Sequence, residues 1–184
     1  LAETPIKSVS IECMGDIEDS KPIALSFLIG LIQDMTDIKI NFINAGYIAQ
    51  ERGMEFSHSL SSEVVSFTNL LKISLITKDD KITLEGSVFG RHNFRIVNIL
   101  GYELDFHPAG NMLFLQNKDI PGVIGKVGML LSGSDVNIGE YLLSRTTSKK
   151  RAYSVIKVDE QINSELIDKL IQLDEILSVK QISI

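Results

Sequence analysis

The segment that decides the fold is Asn111-Met-Leu-Phe-Leu-Gln-Asn-Lys-Asp-Ile-Pro-Gly-Val-Ile-Gly125, followed one short helix later by Asp135-Val-Asn-Ile138. An apolar strand runs into a polar turn, the turn meets a proline, and a helix then leads to a second strand. We expect Pro121 at the first helical position, where its fixed φ suits the helix and its missing amide hydrogen has no helical partner.

The start of this predicted helix is a candidate site for a small carboxylate. The backbone amides of Gly122, Val123 and Ile124 would lie in the unpaired first turn, at the positive end of the helix dipole. Asn117 and Asp119 precede them, and Asn137 opens the next strand. These three polar side chains are placed to read the ammonium and hydroxyl groups of a small amino acid. The alternative is that Asp119 only supports the helix start and that the asparagines close turns.

Composition restricts the class of protein. The chain has 184 residues, 44% of them hydrophobic, and a net charge of −6. This length fits one large or two small domains. The acidic balance argues against nucleic-acid binding, and no apolar run is long enough for a membrane span. The single Cys13 argues against a disulfide framework or a multi-cysteine metal site, and favours a cytoplasmic location. Because the chain opens without methionine, it is interpreted as a piece of a longer protein.

The region after residue 111 predicts a compact unit of four strands and two helices. Strand patterns cover 112–115, 136–145, 152–158 and 178–184, with a polar turn at 146–150. Helical spacing covers 122–132 and the residues after Asn163, which is the expected N-cap of the second helix. The order βαββαβ is that of the ferredoxin-like split unit.

The earlier part of the chain predicts a separate α/β domain with a mixed sheet, ended by Pro108-Ala-Gly110. A strand at 6–13 precedes a helix opened by Pro22, and a second helix ends at Gly53. The polar stretch 55–62 is interpreted as extended, with His58 exposed on it. Strands at 71–77, 82–88, 94–99 and 102–106 then form two hairpins. The predicted fold class is therefore α+β with two domains, residues 4–110 and 111–184.

These motifs carry a family resemblance. The run 117–125 with 135–138 is similar to an ACT domain, the amino-acid-sensing βαββαβ module. Residues 4–110 resemble an intervening, or allosteric substrate-binding, domain, and both in this order resemble the carboxyl-terminal regulatory half of long-form D-3-phosphoglycerate dehydrogenases. The runs that carry the second resemblance are Asn41-Phe-Ile-Asn-Ala45, Ala49-Gln-Glu-Arg-Gly53, Gly86-Ser-Val-Phe-Gly90, Arg95-Ile-Val97 and Gly101-Tyr-Glu-Leu-Asp105.

The resemblance implies an effector site for L-serine between two ACT domains that pair side by side. On this sequence the implied side chains are Asn117, Asp119 and Asn137, and the backbone that follows Pro121 would hold the serine carboxylate. Asn117 stands where members of the family often carry histidine or tyrosine.

The resemblance also implies an anion site, for a phosphate or a phosphorylated acid, at Arg95, His107 and Lys157. Cationic groups with several donors suit a phosphate. The alternative is that Arg95 is a solvated strand residue and His107 a loop histidine. Arg91 and His92 belong to the same basic stretch and are expected to be exposed.

No Gly-x-Gly-x-x-Gly motif follows a strand in this sequence, so we expect neither an NAD site nor catalytic residues in this segment. NAD would belong to the parent enzyme, the first of serine synthesis, that the resemblance implies. Three alternatives stay open. They are the regulatory segment of an iron–sulfur L-serine dehydratase, a stand-alone binding protein, and an assembly domain that binds no effector.

Overall fold

Two sheets organise the chain, and each is covered on one face by two helices. The computed structural model describes residues 5–33, 35–63, 66–146 and 150–184. The chain divides between Gly101 and Tyr102 into two compact units. The predicted α+β class is confirmed. The domain boundary predicted at Pro108–Gly110 stays a prediction, because the strand before it packs with the second unit, as described below.

The first unit holds a mixed sheet. Its elements are β1 (Ile6–Gly15), α1 (Ser20–Gln33), α2 (Ala45–Glu51), β2 (Glu55–Ser61), β3 (Asn69–Thr77), β4 (Lys81–Phe89) and β5 (Asn93–Ile99). These strands lie in the order β2-β1-β3-β4-β5, with β1 and β2 parallel and the other pairs antiparallel. The polar stretch predicted to be extended forms strand β2.

Both helices of the first unit pack against the same face of the sheet. The side chains of Val9, Ile11 and Cys13 on β1 form one core with those of α1 and α2. Helix α1 begins at Ser20 rather than at Pro22, which corrects the predicted start. Pro22 lies in the first turn, where a missing amide hydrogen breaks no helical hydrogen bond.

The second unit begins with a strand that covers the face of its sheet opposite the helices. The ring of Tyr102 stacks on Tyr153 at 5.3 Å, and Phe106 meets Phe114 at 6.1 Å. The elements are β6 (Tyr102–Phe106), β7 (Asn111–Lys118), α3 (Val123–Ser132), β8 (Ile138–Thr146), β9 (Arg151–Val158), α4 (Ser164–Ile171) and β10 (Ile176–Ser183).

From β7 onward the second unit has the predicted βαββαβ order. The sheet order β10-β7-β9-β8 is antiparallel throughout, so β8 and β10 are its edges. The predicted N-cap is confirmed, because Asn163 Oδ1 accepts a hydrogen bond from the Leu166 amide at 2.9 Å. Of the polar turn predicted at 146–150, residues 147–149 lie outside the described residues.

Two details around the decisive segment differ from prediction. Strand β7 continues to Lys118, so Asn117 is a strand residue rather than part of a turn. Helix α3 begins at Val123 with Gly122 as its N-cap, so Pro121 lies before the helix and not at its first position. Gly122 has φ 91°, a left-handed conformation that glycine adopts without strain and that turns the chain into the helix. None of the helices in the described ranges has the length and apolarity needed to cross a bilayer.

Candidate functional site

Asn117 is a buried polar side chain at the end of β7. It is only 2% exposed, and its Nδ2 donates to the Lys118 carbonyl at 2.8 Å. The side chain lies on the face of the sheet that the helices cover, since its register partner Ala152 and the core residues Leu113 and Leu115 share that face. Burial of an amide in an apolar layer is unfavourable unless its polar atoms are satisfied, and the bond to the Lys118 carbonyl satisfies the donor here.

Asp119 lies beside Asn117, at the surface. Its Oδ1 is 3.2 Å from Nε of Arg145, which is the last residue but one of β8. The Asp119 side chain is 29% exposed and the Arg145 side chain is 67% exposed. The carboxylate predicted to read an ammonium group is therefore already paired with a cation, in a contact that solvent reaches. Sequence reasoning missed Arg145, because β8 is two strands away from β7 in the sheet and no local spacing links the two residues.

The first turn of α3 completes this end of the unit. Among the described residues no side chain caps the helix, and the Gly122 carbonyl accepts from the Lys126 amide at 3.0 Å. Val123 is buried in the core while Ile124 is exposed. The space beside the Cα of Gly122 is open, and the amides of the first turn follow directly after it. This geometry suits a small carboxylate.

Lys126 on α3 ties the helix to the segment that precedes β10. Its Nζ hydrogen-bonds and ion-pairs with Glu175. The hydrogen bond from Lys126 holds the pKa of the Glu175 carboxyl below its usual range. The Glu175 carbonyl in turn accepts from the Lys118 amide at 2.8 Å, so helix, strand and loop are joined at one place.

Asn137 lies at the other end of the same sheet. The strand register pairs Ile138 with Val158 and Val158 with Asn111, whereas Asn117 pairs with Ala152 and Ala152 with Arg145. The strands are eight or nine residues long, so about 25 Å separates the two ends. Within one chain the structure therefore brings Asn117 and Asp119 together and keeps Asn137 apart from them.

Asn137 contacts residues other than those of the loop that holds Asn117 and Asp119. Its Nδ2 donates to Asp159 Oδ2 at 2.8 Å, a partner that sequence reasoning did not single out. The two line an open cleft of about 430 Å³. The other lining residues are Ser134, Asp135, Val136, Glu160, Gln161, Ile162, Asn163 and Leu166.

The two ends of the second sheet carry opposite charge. We call them the loop end, which holds Asn117 and Asp119, and the acidic end, which holds Asn137. Cations predominate at the loop end, and carboxylates stand at the acidic end. The loop-end cations are Lys118, Arg145, Lys150 and Arg151, and the acidic-end carboxylates are Asp135, Asp159 and Glu160.

The three residues predicted to hold an anion do not lie in one unit. Arg95 is on β5 of the first unit, while His107 and Lys157 belong to the second. Lys157 Nζ is 3.2 Å from Glu140 Oε2 on the neighbouring strand, so an anion would have to compete with that carboxylate. A joint anion site stays a prediction.

The comparisons with known proteins concern the whole chain. D-3-phosphoglycerate dehydrogenase of Bacillus subtilis is 29% identical over 98% of this chain, and that of Archaeoglobus fulgidus is 26% identical over 97%. The chain spans about a third of the length of these relatives, 35% and 34% respectively. A solved ACT domain from the GTP pyrophosphokinase of Chlorobium tepidum overlaps 40% of this chain and 97% of its own, with 17% identity and a TM-score of 0.33.

The match to a protein family covers more than half of the chain. Residues 1–100 match the family described as the D-3-phosphoglycerate dehydrogenase intervening domain. This range includes the runs Asn41–Ala45, Ala49–Gly53 and Gly86–Gly90, all on or beside elements of the first unit. The chain therefore belongs to the D-3-phosphoglycerate dehydrogenase intervening-domain family.

Proposed function

We propose that this chain is the effector-sensing part of an NAD-dependent D-3-phosphoglycerate dehydrogenase, and that its second unit binds L-serine at the loop end. The observation that supports this most is the placement of a buried amide, a carboxylate and an uncapped helix start within one short segment. Asn117, Asp119 and the amides of Gly122, Val123 and Ile124 offer partners for the hydroxyl, the ammonium and the carboxylate of serine.

Asn137 completes the site only if two copies of the chain pair. Strand β8 is an edge of its sheet, and two-fold antiparallel pairing of two β8 strands sets the start of one beside the end of the other. Asn137 of one copy then approaches the loop end of the second copy. The opposite charges of the two ends favour this arrangement, because each acidic end meets a loop end.

Serine would act by favouring the paired arrangement. A ligand shifts an equilibrium only when it binds the two states with different affinity, and allosteric couplings are typically about 1–3 kcal/mol. A serine held by groups from both copies binds the paired state alone. Self-association through β8 and effector binding are then linked, and the first unit would pass the change to the NAD-binding, catalytic part of the cytoplasmic parent enzyme.

The proposal is tested by titration calorimetry of the 184-residue chain with L-serine, with D-serine and glycine as ligand controls. We expect saturable heat with L-serine and a loss of affinity of about tenfold or more in Asn137→Ala, since a hydrogen bond to a charged or buried ligand is worth about 1.5–3 kcal/mol. The matched control is Asn111→Ala. Asn111 Nδ2 donates to the backbone carbonyl oxygen of Asp159 at 3.3 Å, and Asn111 lies at the same end of the sheet.

Three results would contradict the proposal or redirect it. Equal serine affinity in wild type and Asn137→Ala would remove Asn137 from the site. Heat with inorganic phosphate but not with serine, abolished by Arg95→Gln and His107→Gln, would place the effector at the predicted anion site. The absence of binding heat with every ligand, together with pairing of the chain, would identify an assembly domain without an effector.

A further inference from the structure

The edge strand β2 of the first unit is open on one side. It pairs in parallel with β1 through Ser8–Met14, and no strand lies on its other side in the described part of the chain. Five of its seven residues are exposed and the other two are half-buried. Natural edge strands are commonly blocked by lysine, proline or a bulge, and the sequence Glu-Phe-Ser-His-Ser-Leu-Ser of β2 contains neither residue.

One face of β2 is apolar. Phe56, His58 and Leu60 are the register partners of Val9, Ile11 and Cys13, so they point to the side of the sheet that the helices cover. The His58 ring is fixed there by the Ser20 hydroxyl, 2.8 Å from Nδ1. Leu60 has no comparable cover and is 50% exposed.

The order of residues along β2 is self-complementary. In an antiparallel pair centred on His58, Phe56 of one copy lies opposite Leu60 of the other, and Ser57 lies opposite Ser59. This register pairs all seven residues and keeps the apolar side chains on one face. A shift by one residue would place Phe56 opposite a serine, and a shift by two would leave part of the strand unpaired.

We propose that two copies of this chain pair through β2, antiparallel and centred on His58, so that the first sheet continues across a two-fold axis. Both helical layers then lie on the same side of the joined sheet. The proposal concerns the first unit alone and does not depend on the effector site proposed for the second unit.

Charge supports a second copy as the occupant. Glu55, the one charged residue of β2, falls opposite Ser61, so no like charges meet within the strand pair. An isologous pair makes this contact twice.

A groove beside β2 receives the exposed leucine. It has a volume of about 510 Å³ and runs between α2 and the start of β2. Because Leu60 of the second copy lies opposite Phe56, it falls at this groove, and the reciprocal contact is made at the other end of the pair. The lining residues are Gly46, Gln50, Gly53, Met54, Glu55 and Phe56.

The register is tested by disulfide cross-linking of the full chain under mild oxidation. Directly opposed residues have Cα atoms about 4.5–5.5 Å apart, within the range of a disulfide. We expect the His58→Cys variant to form a covalent dimer at least about tenfold faster than Leu60→Cys, because the two copies of residue 60 are about 13 Å apart in this register. The native Cys13 is fully buried, so wild type serves as the background.

A second pair of variants leaves the bond between Ser20 and His58 intact. The double variant Phe56→Cys with Leu60→Cys should cross-link as fast as His58→Cys, and Phe56→Cys alone should not. Light scattering gives an independent measurement, in which Leu60→Lys should halve the molar mass. Ile76→Lys changes a similarly exposed apolar residue on β3, 43% exposed, and should leave the mass unchanged.

Circular dichroism of each variant checks that the unit is folded. Cross-linking at equal rates in the His58→Cys and Leu60→Cys variants, or in neither, would overturn the proposal. So would an unchanged mass in folded Leu60→Lys.

Discussion

The two units solve the same packing problem in different ways. Each lays two helices on one face of a sheet, but in the first unit the parallel strands β1 and β2 pair across both helices, which lie between them in the sequence. In the second unit β8 and β9 are neighbours in sequence and each helix lies between two strands. The helices of the first unit contribute both alanines and larger residues to the buried core, whereas those of the second contribute leucine and valine. The buried helix residues are Ala24, Leu28, Ile32, Ala45, Ile48 and Ala49 in the first unit and Val123, Val127, Leu131, Leu166 and Leu170 in the second.

This difference decides how far local sequence patterns alone predict the structure of each unit. In the first unit β1 pairs with β2 across two intervening helices, so its sheet depends on contacts between residues far apart in the sequence. The second unit relies on larger apolar side chains at helical spacing, which are visible in the sequence. The two cores share no residue, so the units are expected to respond separately to mutation.

The largest expected effect comes from truncating one buried leucine in each core. Leu28 on α1 and Leu131 on α3 are both fully buried. Leu28→Ala and Leu131→Ala should each lower the free energy of unfolding of their own unit by about 2–5 kcal/mol, through lost transfer energy and the cavity left behind. Hydrogen exchange followed by mass spectrometry measures each unit separately. If either variant accelerated exchange equally in both units, the two cores would be one cooperative structure.

A smaller difference between the units is expected in the pH dependence of their stability at alkaline pH. Burial, with a contribution from the neighbouring Tyr102, raises the pKa of Tyr153 to about 12. The unfolded side chain ionises near pH 10, so its contribution to stability is complete below that pH. The contribution is lost as the pH rises toward 12, because the folded state still holds the proton. The loss is about 2–3 kcal/mol for two pH units.

Denaturant titrations at pH 8 and at pH 11.5 measure this loss. Tyr153→Phe should lose less stability between the two pH values than wild type does. Tyr47 provides the matched control in the first unit. Its hydroxyl donates to Glu51 at 2.6 Å and the residue is 63% exposed, so Tyr47→Phe should change the pH dependence far less. Identical pH dependence in wild type and Tyr153→Phe would show that Tyr153 ionises freely in the fold.

The same difference explains how much of the fold the sequence predicts. In the second unit the order of elements and the N-cap Asn163 follow from periodicity and capping chemistry alone. In the first unit β2 could be recognised as extended but not assigned a partner. Its residues are almost all polar or exposed, and a parallel partner across two helices leaves no local signal.

The candidate site follows the same logic at smaller scale. Local spacing placed Asn117 and Asp119 beside the start of α3, and the structure brings them together there. Local spacing could not predict that Asn137 lies at the opposite end of the sheet, since that depends on the register of β8 against β9. Nor could it predict that a left-handed Gly122 separates Pro121 from the helix, since proline before a glycine turn reads much like proline at a helix start.

The smallest effect compares one ion pair from each unit. Arg145 and Asp119 approach to 3.2 Å at the loop end, and Lys72 and Glu85 approach to 3.6 Å as direct cross-strand neighbours on β3 and β4. Both pairs are partly exposed, so double-mutant cycles should give about 0.2–1 kcal/mol for each, less at high salt. The cycles use Asp119→Asn with Arg145→Gln, and Lys72→Gln with Glu85→Gln.

Saturating L-serine should separate these two couplings. If the serine ammonium takes the Asp119 carboxylate, Arg145 loses its partner and the first coupling falls to zero, while the coupling between Lys72 and Glu85 stays unchanged. The measurement is the free energy of unfolding of each variant with and without L-serine. A coupling between Asp119 and Arg145 that survives in the presence of bound serine would assign the ammonium to another group. In that case Asp119 would serve the loop end only by holding Arg145, the cation that two-fold pairing of β8 brings to the acidic end of a second copy.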